Sequence, residues 1–276
     1  MTNSALPRER LYEELNRPSD QVSLARAALY IAQEDYPQLV VDDYMALLDR
    51  MADALRRQLP TDRYPLKIIQ AINGYLFTEL NFRGNSIAYY DPRNSFLNEV
   101  LERRVGIPIT LSLVYLELAQ RVGFPMVGVS MPGHFLIRPT VAEMDLLVDP
   151  FHQGEILFEQ DCRNRMKQMF GDLAQLEPHH LAPISPTTFL VRMLTNLKLI
   201  YLQNRDVPKV LEAINRILLI YPEAVGEWRD RGLIYYQQGL LDQALLDLER
   251  YLYQHPNATD AFEIRRVIEQ IESVRD

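Results

Sequence analysis

Residues 110–122, TLSLVYLELAQRV, place apolar side chains on nearly every face of a helix, so that helix has to be surrounded by other elements. Pro108 stands where a first-turn proline belongs, because the N–H it lacks would be unpaired there anyway. Gly123 ends the run. Short β-like runs follow at 126–130, 134–138 and 146–148, separated by Pro132 and Gly133 and by residues 139–145. One central helix followed by short strands on tight loops is an α+β order. It is not the βαβ alternation of a doubly wound sheet.

The chain ahead of this core reads as helices. Leu24, Ala27, Ala28 and Ile31 share one stripe of a helix over 22–33, with Ser19 and Asp20 as its expected cap. Met45, Leu48, Met51 and Leu55 repeat along 42–58, and 68–80 is a third helical stretch. Residues 81–94, NFRGNSIAYYDPRN, are too long and too turn-rich for a simple connection and are expected to be a shaped loop. A helix carrying Leu97, Val100 and Leu101 follows, and another covers 158–170. Residues 177–186, EPHHLAPISP, hold three prolines and no periodicity, as a linker does. The expected organisation is therefore a first domain at 1–176, a linker at 177–186 and a helical region at 187–276.

The helical region is repetitive. Trp228, Gly232, Tyr235, Ala244, Leu248, Tyr251 and Pro256 lie at the spacings of a tetratricopeptide repeat. Gly232 and Ala244 let two antiparallel helices approach, and the larger side chains fill the space around them. A shift of 34 residues lands on Leu194, Lys198, Tyr201, Val210, Ile214, Ile217 and Pro222. Lys198 and Val210 replace the small residues there. Residues 261–271 supply an end-capping helix. Two repeats are fewer than a free-standing array needs, so the helices either pack on the first domain or simply extend its core. An intact groove would take a protein or peptide partner.

Composition removes several function classes. The net charge of −8 opposes a broad nucleic-acid surface, which needs clustered Lys and Arg. No segment approaches the roughly 18 apolar residues of a membrane span. MTNSALPRERLYEEL has no signal-peptide core, and a cytoplasmic location is expected. Cys162 is the one cysteine, which excludes an internal disulfide and a CxxC motif. His179 and His180 have no further ligands at metal spacing, nucleotide-binding loops are absent, and neither metal nor cofactor is expected. GVSMP at 128–132 misses the GxSxG elbow by its last residue.

Residues 106–154 carry what chemistry the sequence offers. A helix begins at GIPIT, His134 opens a strand after Pro132 and Gly133, and Asp149 follows in VDPFHQG. Nucleophilic acyl transfer uses a nucleophile at a helix N-terminus, where the dipole favours a thiolate. A histidine then moves the proton and a carboxylate fixes its tautomer. The runs NSFLNEVLERRVGIPITLSLVYLELAQRVGFP, MPGHFLIRP and LVDPFHQGEIL resemble the SirB1 family, a branch of the transglutaminase-like superfamily whose members often end in tetratricopeptide repeats. The resemblance extends from about Asp42 to Asp276 and is densest over residues 94–154. It implies a mostly helical α+β core of papain and transglutaminase type with a small antiparallel sheet.

Under that resemblance His134 matches the catalytic histidine and Asp149 the aspartate, while the cysteine position falls on Pro108, which has no nucleophilic atom. Cys162 follows both partners in another helix. Thr110 and Ser112 are the nearby hydroxyls, and either would need a base within hydrogen-bond reach. Asn98, Glu99, Arg103, Thr110 and Arg138 are candidates to line the cleft, with surface ion pairs or caps as the plainer reading. His134 and Asp149 either survive as a strand-tying pair or retain a role in binding or catalysis. The expected function is a non-catalytic adaptor holding a peptide or protein. The alternative is an amide hydrolase or acyl-transfer enzyme that uses His134 and Asp149 with an unconventional nucleophile.

Overall fold

The computed structural model describes residues 5–18, 21–141 and 144–275. The chain divides into two compact units, Met1–Met193 and Leu194–Asp276. In the first, four helices lead in: α1 (Ala5–Leu15), α2 (Leu24–Gln33), α3 (Val41–Arg56) and α4 (Pro65–Asn73), the last running into a π-helical turn at Gly74–Glu79. The expected cap at Ser19 and Asp20 lies outside the described residues. Ser23 caps α2 instead, its Oγ accepting the Arg26 N–H at 3.3 Å.

The shaped loop contains β1 (Arg83–Gly84) and a 3₁₀ turn at Pro92–Ser95, and leads into α5 (Leu97–Arg103). Strand β2 (Val105–Gly106) pairs in parallel with β1. Helix α6 (Pro108–Arg121) then buries every residue from Pro108 to Ala119, as its apolar circumference requires. It packs on α2, α3 and α5 and on the sheet that follows.

That sheet is antiparallel throughout, in the order β3 (Met126–Val129), β4 (Leu136–Pro139), β5 (Leu147–Asp149) and β6 (Glu155–Leu157). Strand β6 had no signal of its own, being three residues long directly after a turn. His134, expected to open a strand, stands two residues ahead of β4. Its N–H closes a turn on the Met131 carbonyl at 3.0 Å. Val129, Met131, Leu136, Leu147 and Leu157 form a further core with Cys162 and Met166 of α7 (Glu159–Phe170). Residues 177–186 lie along β3: Pro183 bridges Val129 and the Ile184 N–H reaches the Gly128 carbonyl at 3.0 Å. Helix α8 (Pro186–Gln203) contains the division between the units.

The second unit comprises the end of α8 with α9 (Val207–Ile220), α10 (Val225–Gln237), α11 (Leu241–Gln254) and α12 (Ala261–Arg275). Ala244, Leu248, Tyr251, Ile264 and Ile271 are its buried centre, with Trp228 and Tyr235 packed against them. A Cβ on Gly232 would stand 2.8 Å from the Leu248 side chain, so only glycine permits this approach of α10 to α11. Lys198 takes the small-residue position of the preceding repeat without wedging it open. Its Nζ reaches forward to Glu227 of α10 at 2.6 Å and Asp230 at 3.1 Å. Arg231 clamps Asp247 through two nitrogens, at 2.6 and 2.8 Å, and Asn215 through a third at 2.6 Å.

Candidate functional site

Strand β5 ends on Asp149, which has no exposed surface. The next residues, Pro150–His152, make a 3₁₀ turn because Asp149 caps it: Oδ1 accepts the N–H of Phe151 at 3.1 Å and of His152 at 3.3 Å. Gly154, at φ +77°, then reverses the chain, and a Cβ there would lie 2.1 Å from Asn73 Oδ1. Asn73 donates to the Gly154 carbonyl at 2.9 Å and accepts the Tyr115 hydroxyl at 3.0 Å. The turn is thereby moored to α4 and α6.

Three side chains from different segments meet the other carboxylate oxygen. His134 Nε2 lies 2.8 Å from Asp149 Oδ2, and His152 Nδ1 lies 2.7 Å from the same atom. Arg165 of α7 also donates to it through Nη1, and its Nη2 reaches Glu155 at 2.6 Å. Burial alone would push the Asp149 carboxyl up; the hydrogen bonds and charge of His134 and His152 outweigh it and hold the group well below the usual carboxylate range. The His134 ring meets Phe151 edge-on at 6.2 Å and the His152 ring at 5.7 Å. Tyr89, from the shaped loop, packs on Phe151 at 6.1 Å. His134 Nδ1 has no hydrogen-bond partner among the described residues.

At the expected nucleophile position Pro108 begins α6 and is buried. The Thr110 hydroxyl is committed: Oγ1 donates to the Asn94 carbonyl at 2.7 Å and accepts the Ile107 N–H at 3.1 Å. Asn94 is itself buried, and its amide holds the carbonyls of Ala88 and Tyr89 at 2.8 and 3.2 Å. Ser112 is buried, with no hydrogen bond to its hydroxyl among the described residues. Cys162 is buried in the apolar core beneath the sheet, where burial pushes its thiol up to about 11, far from the thiolate a nucleophile needs.

The remaining expected cleft residues separate. Asn98 and Thr110 are buried, 4% and 0% exposed. Glu99 and Arg103 pair at 3.9 Å, and Arg103 reaches Asp91 at 3.6 Å and Asn94 at 3.4 Å. These contacts tie α5 to the shaped loop. Arg138 sits in β4 opposite Val127. A cavity of about 260 Å³, lined by Glu117, Met126, Gly128 and Phe189 among others, touches neither His134 nor Asp149. His152 and Arg165 escaped the sequence reading. His152 carried one signal, its place three residues after an aspartate followed by proline, a capping pattern. Arg165 lies 16 residues from Asp149 with no local cue. His134, Asp149 and His152 each offer one atom able to ligate a metal, all within 4.8 Å of one another.

A buried helix led by proline, a four-stranded sheet and the His134–Asp149 pair define a transglutaminase-like domain, and the second unit is an array of repeat helices. The family described as transglutaminase-like superfamily matches residues 42–195, and the tetratricopeptide repeat family matches 197–269. The chain belongs to the transglutaminase-like superfamily. It is 38% identical over 264 residues to a protein of Xylella fastidiosa named UPF0162 protein, covering 92% of each chain. A UPF0162 protein of Vibrio cholerae is 30% identical over 239 residues, 86% of this chain and 88% of the other. The human F-box only protein 21 is 30% identical over 178 residues, 54% of this chain and 28% of that one. No solved structure matches the chain.

Proposed function

We propose that this chain is a non-catalytic interaction protein, a transglutaminase-like domain without an attacking group joined to tetratricopeptide repeats that hold a peptide or protein partner. The observation that carries this reading is the start of α6. The family resemblance puts the attacking position on Pro108, and the Thr110 hydroxyl nearby is engaged in two hydrogen bonds. Repeat helices generally serve protein contacts by presenting a shared groove. No helix among the described residues is long and apolar enough to cross a membrane. A cytoplasmic location is part of this proposal.

The test treats the full chain with active-site probes for serine, threonine and cysteine nucleophiles, and with acyl donors. No adduct is expected; an adduct that disappears in a folded His134→Ala variant overturns the reading. In parallel, partners captured from the native cytoplasm should be lost on Leu199→Asp, since Leu199 is half-exposed on α8. Unchanged capture counts against the repeats as the binding surface.

A second reading has one observation in its favour. Asp149 anchors His134 through Nε2 and leaves Nδ1 unpartnered, the arrangement of a general base. An amide hydrolase or acyl-transfer enzyme would use that nitrogen, and the same probe experiment separates the two.

A further inference from the structure

Asp149 accepts five N–H groups, two on Oδ1 and three on Oδ2. A carboxylate offers about four lone-pair sites, two on each oxygen. The crowding is confined to Oδ2, where two imidazoles and a guanidinium converge.

We propose that His134, Asp149 and His152 form a binding site for one divalent transition-metal ion of the zinc type. Two imidazoles and a carboxylate are the ligands such an ion selects. With the ion in place, His134 Nε2 and His152 Nδ1 supply lone pairs to the metal instead of N–H groups to Oδ2. That oxygen then keeps two partners, the ion and Arg165. Glu155 holds Arg165 in place from its other side, at 2.6 Å. The capping bonds from Phe151 and His152 orient the carboxylate from Oδ1, the supporting layer that metal-binding carboxylates ordinarily have. His152 is 52% exposed, which gives the ion a route from solvent. The histidines lie 18 positions apart on separate turns, so no spacing motif announced them. This inference stands apart from the adaptor reading, because a bound ion can pin two loops without any reaction.

The experiment uses the tag-free full chain, stripped with a chelator. It is titrated with Zn²⁺ by calorimetry and with Co²⁺ by visible absorption. One ion per chain is expected, with a Co²⁺ spectrum showing nitrogen ligation. His152→Ala should weaken binding by more than the roughly 10–100-fold that loss of a supporting outer residue costs. Because the His152 ring is half outside, this variant keeps its fold; His134→Ala, checked by circular dichroism, should act alike. A His179→Ala/His180→Ala double variant should bind as the parent does. Absence of one-to-one uptake, uptake unchanged in His152→Ala, or uptake lost in the double variant would overturn the proposal.

Discussion

The contact between α10 and α11 and the turn around Asp149 are both specified by single residues, but by opposite kinds of interaction. The helix pair meets through absence: Gly232 has no Cβ, and Leu248 lies 2.8 Å from where one would be. The close approach at Gly232 is apolar, with the Arg231–Asp247 clamp beside it, and the same spacing recurs along the chain. The Asp149 turn meets through convergence, five polar donors from three segments on one buried carboxylate. A dense apolar contact is degraded in steps by added volume. A buried charge cluster has no such gradation, because the loss of one member leaves the others uncompensated.

The largest effect should therefore come from Asp149→Ala. It leaves Arg165 with Glu155 alone, frees two imidazoles and removes the cap of the 3₁₀ turn, and the cost should be about 3–5 kcal/mol, the range for breaking a buried pair. Denaturant unfolding followed by circular dichroism measures it; a cost below about 1 kcal/mol would break the comparison. The pH dependence has a fixed sign. A carboxyl held below its unfolded value stabilises the fold fully above the unfolded pKa of roughly 3.9, and that stability is lost as pH falls further toward the folded value. Asp149→Asn should flatten this part of the acid-unfolding curve.

Next comes Gly232→Val. The two added methyls meet Leu248 and the Asp247 Cβ, which a Cβ alone would approach to 3.1 Å. Overpacking of this kind costs about 1–3 kcal/mol. Trp228, the single tryptophan, lies in the same helix and reports the transition by fluorescence. Equal stability of parent and variant would mean that the helices do not meet at Gly232.

The contrast also accounts for what could be read in advance. The repeat was legible because its determinants recur at fixed separation, and α6 because its apolar circumference admits only burial. Lys198 breaks the repeat pattern, since its role is to reach Glu227 on another helix, and periodicity carries no word of that. His134 and Asp149 stood out by their order after a helix start, and the resemblance matched them to a catalytic histidine and aspartate. Arg165, Asn94 and Asn73 act across loops and helices by directed hydrogen bonds, which leave no period in the chain. The short β6 stayed hidden for a related reason: three residues acquire strand geometry only from the neighbour they pair with.

Between the two extremes stands Thr110, which caps α6 by a polar bond inside an apolar helix. Thr110→Val keeps the shape and removes two hydrogen bonds, to Asn94 and Ile107. The loss should be about 0.5–2 kcal/mol, that of a helix cap, and Thr110→Ser should recover most of it. If Thr110→Val instead left stability unchanged, the capping account of this hydroxyl would fail, and its availability as a nucleophile would return.

Arg250→Ala should be the smallest effect. Its guanidinium lies 3.9 Å from the Trp228 ring centroid, while Arg231 lies 4.7 Å from the same ring. Arg231 is also fixed by Asp247 and Asn215, whereas Arg250 is exposed on α11. An exposed cation over an aromatic ring contributes about 0.5–1 kcal/mol, and Arg231 keeps part of that attraction when Arg250 is gone. Arg250→Ala should therefore cost no more than that and should shift Trp228 emission without moving the circular dichroism spectrum. Arg231→Met should cost more, because it also leaves the buried Asp247 without its partner. A reversal of that order would place the holding energy of the repeat pair in its outer charges and remove the distinction between the two regions.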